Sequence, residues 1–415
     1  MEIYRSNTLL VRKRGGRCRK RWVVTFDHYG ITGSFDRPGF GEEFLAARGI
    51  SLITILGCGN DWYQYPDMGA ALAAARSALL RADRVITYGS SMGGYAAIRF
   101  ADALGAHGCL AVSPQYSNDP AKVPFEWRWP EDARRIDWRA EPDRPIRCAA
   151  DPVIVYDPTI EDGEHVRRIA CDMRCRAMPI RHAAHPATTF LGSTGLLPDL
   201  VLSVLDGSFA LEPFRQRVMA ARKTDPVYLC ELARRQPDCR PRLGIALARR
   251  AVAAVPDVDL VHHVLATRLA LAGQADEALA AHARACELSD EFWSYALPYV
   301  MALADAGERP AALALAKRLA VTWPEQAHVQ HVLGHLLWLS GRTQEALKPA
   351  RQAIRLAPGN AFYRAALFRY RWRYAALPAF AGWRLLRWAA HRLSRILPER
   401  RRSLAGRRPL ERFTT

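Results

Sequence analysis

The sequence lacks several features that would assign it quickly. No apolar run approaches the roughly 18–20 residues that a membrane-spanning helix needs. The N-terminus, MEIYRSNTLLVRKRGGRCRKRW, is basic but has no apolar stretch behind its charges, so it does not read as a secretory signal. The nine cysteines are scattered, with Cys171 and Cys175 the nearest pair and no Cys-x-x-Cys anywhere. That usage argues against a disulfide framework or a zinc site and suits reduced thiols in the cytoplasm. No Gly-x-Gly-x-x-Gly and no phosphate-cradling loop occurs, so no cofactor is expected. The one pattern that invites a metal is His328, His331 and His335 at helical spacing. No carboxylate or cysteine nearby completes a ligand set, and these histidines are expected to pack or face a groove.

What is present is globular in character. Half of the 415 residues are hydrophobic and 24% are charged, more chain than one ordinary core uses. The net charge of +18 is uneven: from Asn360 onward there are 14 arginines against Glu399 and Glu411. The basic excess is therefore a property of the C-terminal end and says little about what the rest binds.

The first 205 residues alternate β-rich runs with helical stretches. The runs are 21–26, 50–56, 84–88, 110–113, 153–156 and 177–181, and helical patterns fill 69–81 and 92–104. Buried strands separated by helices imply a mostly parallel sheet covered on both faces. Residues 3–12 could add an antiparallel edge hairpin. The pattern fails over 114–150, a stretch rich in Pro, Trp and charge, which reads equally well as a surface loop or a small cap over a pocket.

The second half changes texture. Gly273, Gly307 and Gly341 are spaced by 34 residues, as are Ala278, Ala312 and Ala346, and Pro324 and Pro358. The spacing defines copies at 258–291, 292–325 and 326–359. A degenerate one at 224–257 has Cys239 where glycine is expected and Gly244 where alanine is expected. A small residue at the turn and another inside the second helix permit a tight reversal and close helix approach. The period resembles the tetratricopeptide repeat, which implies an all-α solenoid presenting a groove to a protein or peptide partner. Residues 206–223 would link the halves. Residues 360–376 would cap the array through Phe362, Tyr363, Leu367, Phe368 and Tyr370. The Arg/Trp/Leu-rich segment beyond reads as a capping helix with a solvated tail or as an amphipathic helix on an anionic membrane surface, placing the chain at the inner membrane face. A nucleic-acid contact is the weakest reading.

The segment carrying chemistry is Val85-Ile-Thr-Tyr-Gly-Ser-Ser-Met-Gly-Gly-Tyr95. It sets Gly89-x-Ser91-x-Gly93 directly after a strand and before a helix, and so resembles the nucleophile elbow of the α/β-hydrolase superfamily. The resemblance implies an α/β-hydrolase-like sheet, a Ser91 nucleophile, and an acid and a histidine following in that order. DPVIVYDPTIEDGEH offers Asp162, expected in a turn with Gly163, and alternatively Asp157 at the strand end. RHAAHP offers His185, and alternatively His182 nearer the strand. His165 is expected to face solvent. One oxyanion donor would be the amide of Met92 and the other would come from the His28-Tyr29 loop, where His-Tyr-Gly departs from the usual His-Gly signature. Trp62, Tyr63 and Tyr65 are expected to be core packing rather than an acyl pocket. The implied activity is hydrolysis of an ester, thioester or related acyl substrate. An acyltransferase and a catalytically silent interaction scaffold are the alternatives.

Overall fold

The computed structural model describes residues 1–31, 33–138 and 145–372. The chain divides into two compact units, Met1–Ala281 and a second that begins at His282.

The first unit is built on one eight-stranded sheet. Its strands are β1 (Glu2–Arg5), β2 (Leu9–Arg14), β3 (Cys18–Phe26), β4 (Ile50–Gly57), β5 (Arg84–Ser90), β6 (Gly108–Val112), β7 (Val153–Tyr156) and β8 (Arg176–Pro179). Their order across the sheet is β1-β2-β4-β3-β5-β6-β7-β8. The β1–β2 hairpin and the β2–β4 pair are antiparallel, and every pair from β3 through β8 is parallel. Alternation within each strand divides the core into two layers. Trp22, Val24 and Phe26 of β3 face one layer with Ile53, Ile55 and Ile154, while Val23 faces the other with Leu52, Ile86 and Val155.

The helices that follow in the chain are α1 (Glu42–Ala47), α2 (Met68–Ala78), α3 (Met92–Arg99), α4 (Ala101–Leu104), α5 (Pro130–Arg135), α6 (Glu161–Asp172), α7 (Thr188–Ser193), α8 (Leu197–Asp206) and α9 (Leu211–Ala221). Helices α2 and α3 cover the first layer with Ala71, Ala75, Ala96 and Ala97, whose small side chains let the helices lie close to the strands. Helices α1 and α8 cover the second layer with Leu45, Leu200, Val201 and Val204. The single helix expected over 92–104 is broken at Phe100, so α3 and α4 are separate.

The 206–223 segment differs from the expected linker. It holds α9, and Phe209, Phe214 and Val218 are buried in the second layer of the sheet core. Three large apolar side chains at about 1.5–3 kcal/mol each hold such a segment against the sheet.

The helical array continues with α10 (Pro226–Arg234), α11 (Pro241–Ala254), α12 (Asp259–Leu271), α13 (Ala275–Leu288), α14 (Trp293–Asp305), α15 (Arg309–Thr322), α16 (Ala327–Leu339) and α17 (Thr343–Leu356). The first residues of α11, α13, α15 and α17 are 34 apart, as are those of α12, α14 and α16. This is a tetratricopeptide-like helical repeat, and the division between the units falls inside α13. Gly273, Gly307 and Gly341 sit at φ of +74°, +89° and +76°, the left-handed region that lets each helix stop and reverse within three residues. The degenerate first copy has no such glycine, and its chain takes residues 235–240 to pass from α10 to α11. Ala278, Ala312 and Ala346 are buried as the period requires.

Residues 361–372 continue as helix. Tyr363 and Tyr370 are buried there, Tyr370 against Leu337, Leu347 and Ala350. Phe362 and Phe368, expected to share that role, are exposed. The amphipathic or basic tail lies outside the described residues. Among the described residues no helix is long and apolar enough to cross a membrane.

In the second unit, His331 stacks on Tyr363 at 5.0 Å between ring centroids and on His335 at 6.3 Å. Burial, helped by the neighbouring His335, His328 and Arg369 charges, pushes the His331 imidazole down to about 4. Its ordinary value is 6.5, so between pH 6.5 and about 4 the unfolded chain binds a proton that the folded chain refuses. Stability of the repeats should therefore fall as pH drops through that window. His331→Phe, which keeps a ring on Tyr363, should flatten the slope of thermal midpoint against pH. An unchanged slope would refute the assignment.

Candidate active site

The turn between β5 and α3 is as sharp as the sequence implies. Ser91 adopts φ +55° and ψ −121°, a conformation that L-residues rarely occupy and that costs on the order of 1–3 kcal/mol. Its amide is held by the Val112 carbonyl at 2.9 Å, which ties the corner to the neighbouring strand end. A Cβ on Gly89 would meet the Gly93 carbonyl oxygen at 2.1 Å, and one on Gly93 would meet the Phe26 oxygen at 2.4 Å. Both obstacles are backbone atoms that have nowhere to go. Gly93→Ala should therefore cost several kcal/mol through overpacking and shifted backbone. A thermal midpoint within a few degrees of the unsubstituted chain would contradict this.

Ser91 is 3% exposed, and its hydroxyl lies 2.9 Å from Nε2 of His185. His185 reaches it from the loop after β8, and its Nδ1 lies 2.9 Å from both carboxylate oxygens of Asp162. Asp162 is fully buried in the first turn of α6, not in the turn expected with Gly163. Burial would raise its carboxyl, but the His185 hydrogen bond and the Arg128 charge outweigh burial and hold it below the usual range. An ionised Asp162 accepts only, so Nδ1 carries the His185 proton and Nε2 is free to accept from the Ser91 hydroxyl. The geometry thus brings Ser91, His185 and Asp162 into one directed chain of hydrogen bonds.

The alternative residues are engaged elsewhere. Asp157 accepts from the amide and hydroxyl of Thr159 and, at 3.1 Å, from the amide of Ala184. It braces the loop carrying His185 without touching the imidazole. His182 packs its ring against Tyr228 of α10. His165, expected at the surface, is buried: Nδ1 accepts from the Tyr116 amide at 3.1 Å, and Nε2 donates to Glu126 at 2.9 Å. A buried acceptor for that amide and a buried partner for Glu126 account for the inversion, and burial pushes this imidazole down against the pull of Glu126.

On the oxyanion side, Met92 is the first residue of α3, where helix amides have no intrahelical partner. His28 turns its Nδ1 to the Tyr29 carbonyl at 2.6 Å, and the Tyr29 hydroxyl donates to Asp132 at 2.9 Å. The His28 Nδ1 and the Tyr29 hydroxyl are thus engaged, which leaves the backbone amides of this loop for the predicted role. Asp27 just before them is buried under a two-pronged Arg37 contact of 3.1 and 2.9 Å. Tyr63 and Tyr65 are buried in the core as expected, Tyr63 accepting from the Asp27 amide and donating to the Ile55 carbonyl. Trp62 is buried too, but it continues a wall of rings: Trp62, Tyr29 and Trp129 lie 5.4–5.8 Å apart, and Trp129 meets the His185 ring at 5.5 Å.

Through its described residues, the 114–150 excursion reaches Ser91, Asp162 and His185. It brings three groups that the motif does not mention. Arg128 donates to Asp162 at 2.8 Å and is clamped by Glu126. Burial would raise the Glu126 carboxyl, yet hydrogen bonds from His165 and Arg128 hold it at about 2. Trp129 covers His185, with the Arg128 guanidinium 4.5 Å above its ring. Gln115, 1% exposed, places Nε2 at 3.2 Å from the Ser91 oxygen. Pro, Trp and charge in one irregular stretch carry no periodicity, so nothing local announces them. The usable signal was position, since Gln115 follows β6, the strand beside the elbow.

No protein-family model and no curated protein matches the chain. Among solved structures it is similar to TTC0263, a thermophilic tetratricopeptide protein of Thermus thermophilus, at 20% identity and a TM-score of 0.34, over 44% of this chain and 97% of that one. It is also similar to YrrB, a tetratricopeptide protein described as having an unusual peptide-binding site, at 17% identity and 0.32, over 43% and 87%. A third is MamA, at 17% and 0.30, over 37% and 91%. The repeat character of this chain rests on its own 34-residue spacing.

Proposed function

We propose that the sheet domain is an α/β-hydrolase-type serine hydrolase acting on an ester, thioester or related acyl substrate. The observation that carries this reading is the continuous chain Asp162–His185–Ser91 ending on an oxygen presented by a strained, glycine-flanked corner. The order Ser, Asp, His along the sequence is the order of that superfamily. In the reaction, His185 Nε2 takes the Ser91 proton as Oγ bonds to the substrate carbonyl carbon and the carbonyl π pair moves onto its oxygen. The amide of Met92, with an amide of the His28-Tyr29 loop, would face that oxyanion. Collapse expels the leaving group, which takes the proton from Nε2. Water then repeats the sequence on the acyl-Ser91 ester, giving the acid and free Ser91. An alcohol or amine in place of water would make the same intermediate an acyltransferase.

The repeats are the scaffold half of the proposal and would hold a protein or peptide partner for the sheet domain. If the chain is instead an interaction scaffold alone, folded protein is inert toward a fluorophosphonate probe. Labelling of the unsubstituted chain and its loss in Ser91→Ala is the deciding experiment.

A further inference from the structure

Resting on the hydrolase reading, we infer that Gln115 is a catalytic residue whose carboxamide holds the Ser91 oxygen with one end and binds a hydrogen-bond donor of the substrate, an O–H or N–H flanking the reacting carbonyl, with the other. Three observations carry this. First, the donor sequence leaves no choice of orientation. Ser91 gives its only proton to His185 Nε2, so its oxygen must accept from Gln115, and the atom 3.2 Å away must be Nε2. Second, Oε1 is buried and has no partner among the described residues. A buried carbonyl left unpaired is costly and calls for an explanation, and a substrate group beside Ser91 supplies one here. Third, Oε1 and Nε2 share one carbon, so a group that satisfies Oε1 sits beside the atoms that react at Ser91. That fixes the donor to the leaving group or to the position next to the carbonyl, and not to a remote part of the acyl chain.

The two ends act differently. Nε2 occupies one lone pair of the Ser91 oxygen and so directs the other toward the substrate carbon. Oε1 discriminates: a substrate lacking the donor leaves it unpaired throughout the reaction, which is the situation in which sites reject an analogue strongly.

The experiment compares isosteric ester pairs that differ by one donor, with the full chain. One pair is the 2-hydroxyethyl and propyl esters of a single acid, and the other is the lactoyl and isobutyryl esters of a single alcohol. In one of the pairs the hydroxylated member should have at least about tenfold higher kcat/KM, and Gln115→Leu should bring that ratio to near unity. Gln115→Glu guards against a folding artefact because it keeps the shape. An ionised Glu cannot donate to the Ser91 oxygen and a protonated one can, so its fluorophosphonate labelling relative to the unsubstituted chain should rise as pH falls. Gln115→Leu should show no such rise. No preference in either pair, or a preference that survives Gln115→Leu, overturns the inference while labelling of the unsubstituted chain keeps the hydrolase reading. Folded, unsubstituted protein that labels with no probe overturns both.

Discussion

Ser91→Ala should abolish covalent labelling by a fluorophosphonate and reduce turnover of an acyl ester by about a million-fold. The magnitude follows from what is removed. Without the hydroxyl there is no acyl-enzyme, and the remaining rate comes from binding and the amide donors alone. His185→Ala should lose nearly as much, because the three groups work as a unit and single losses do not add. The substitution at 91 is otherwise mild, since the smaller side chain relieves nothing and the φ of +55° is strained for alanine as it is for serine. A thermal midpoint close to that of the unsubstituted chain is expected, so loss of labelling cannot be blamed on unfolding. Labelling that persists in Ser91→Ala would place the reactive group elsewhere.

Asp162→Asn should lower turnover by about 10⁴-fold, whereas Asp157→Asn should lower it far less. An asparagine at 162 can donate its N–H₂ to Nδ1, which traps the imidazole with its proton on Nε2, facing a hydroxyl it can no longer deprotonate. Arg128 also loses its carboxylate partner at 2.8 Å, so part of the effect should appear as lower stability. At 157 the carboxylate holds the Ala184 amide and Thr159, and the imidazole next door keeps its tautomer. Loosening that loop costs precision, not proton logic. Equal losses at the two positions, measured as kcat on one ester, would remove Asp162 from its assigned role.

The sheet was legible because its central strands, β4, β5 and β6, are buried on both faces and bounded by turn residues; the predicted strand runs fall on β3 to β8 with end differences of a few residues. The elbow was legible because its chemistry is local: two glycines, a serine, a strand before and a helix after. The 34-residue period was legible for the same reason, each glycine marking a reversal. What escaped depends on contacts distant in sequence. His165 reads as polar and exposed until Glu126 arrives from 39 residues away, and Asp162 reads as a turn residue until α6 winds around it. The segment 206–223 has the charge of a linker, and only the pairing of Phe214 with Phe209 against the sheet reveals its buried side.

The attachment of α9 and α10 to the sheet has a mechanical consequence. Asp225 caps α10 and accepts from Ser193 at 2.6 Å, and Arg235 at the other end of α10 donates to Thr159 at 2.8 Å. Thr159 in turn donates to Asp157, which grips the backbone one residue before His185. Helix α10 is thus joined at one end to the imidazole's own loop. Three polar contacts in series, Arg235–Thr159, Thr159–Asp157 and Asp157–Ala184, join the end of α10 to the residue before His185.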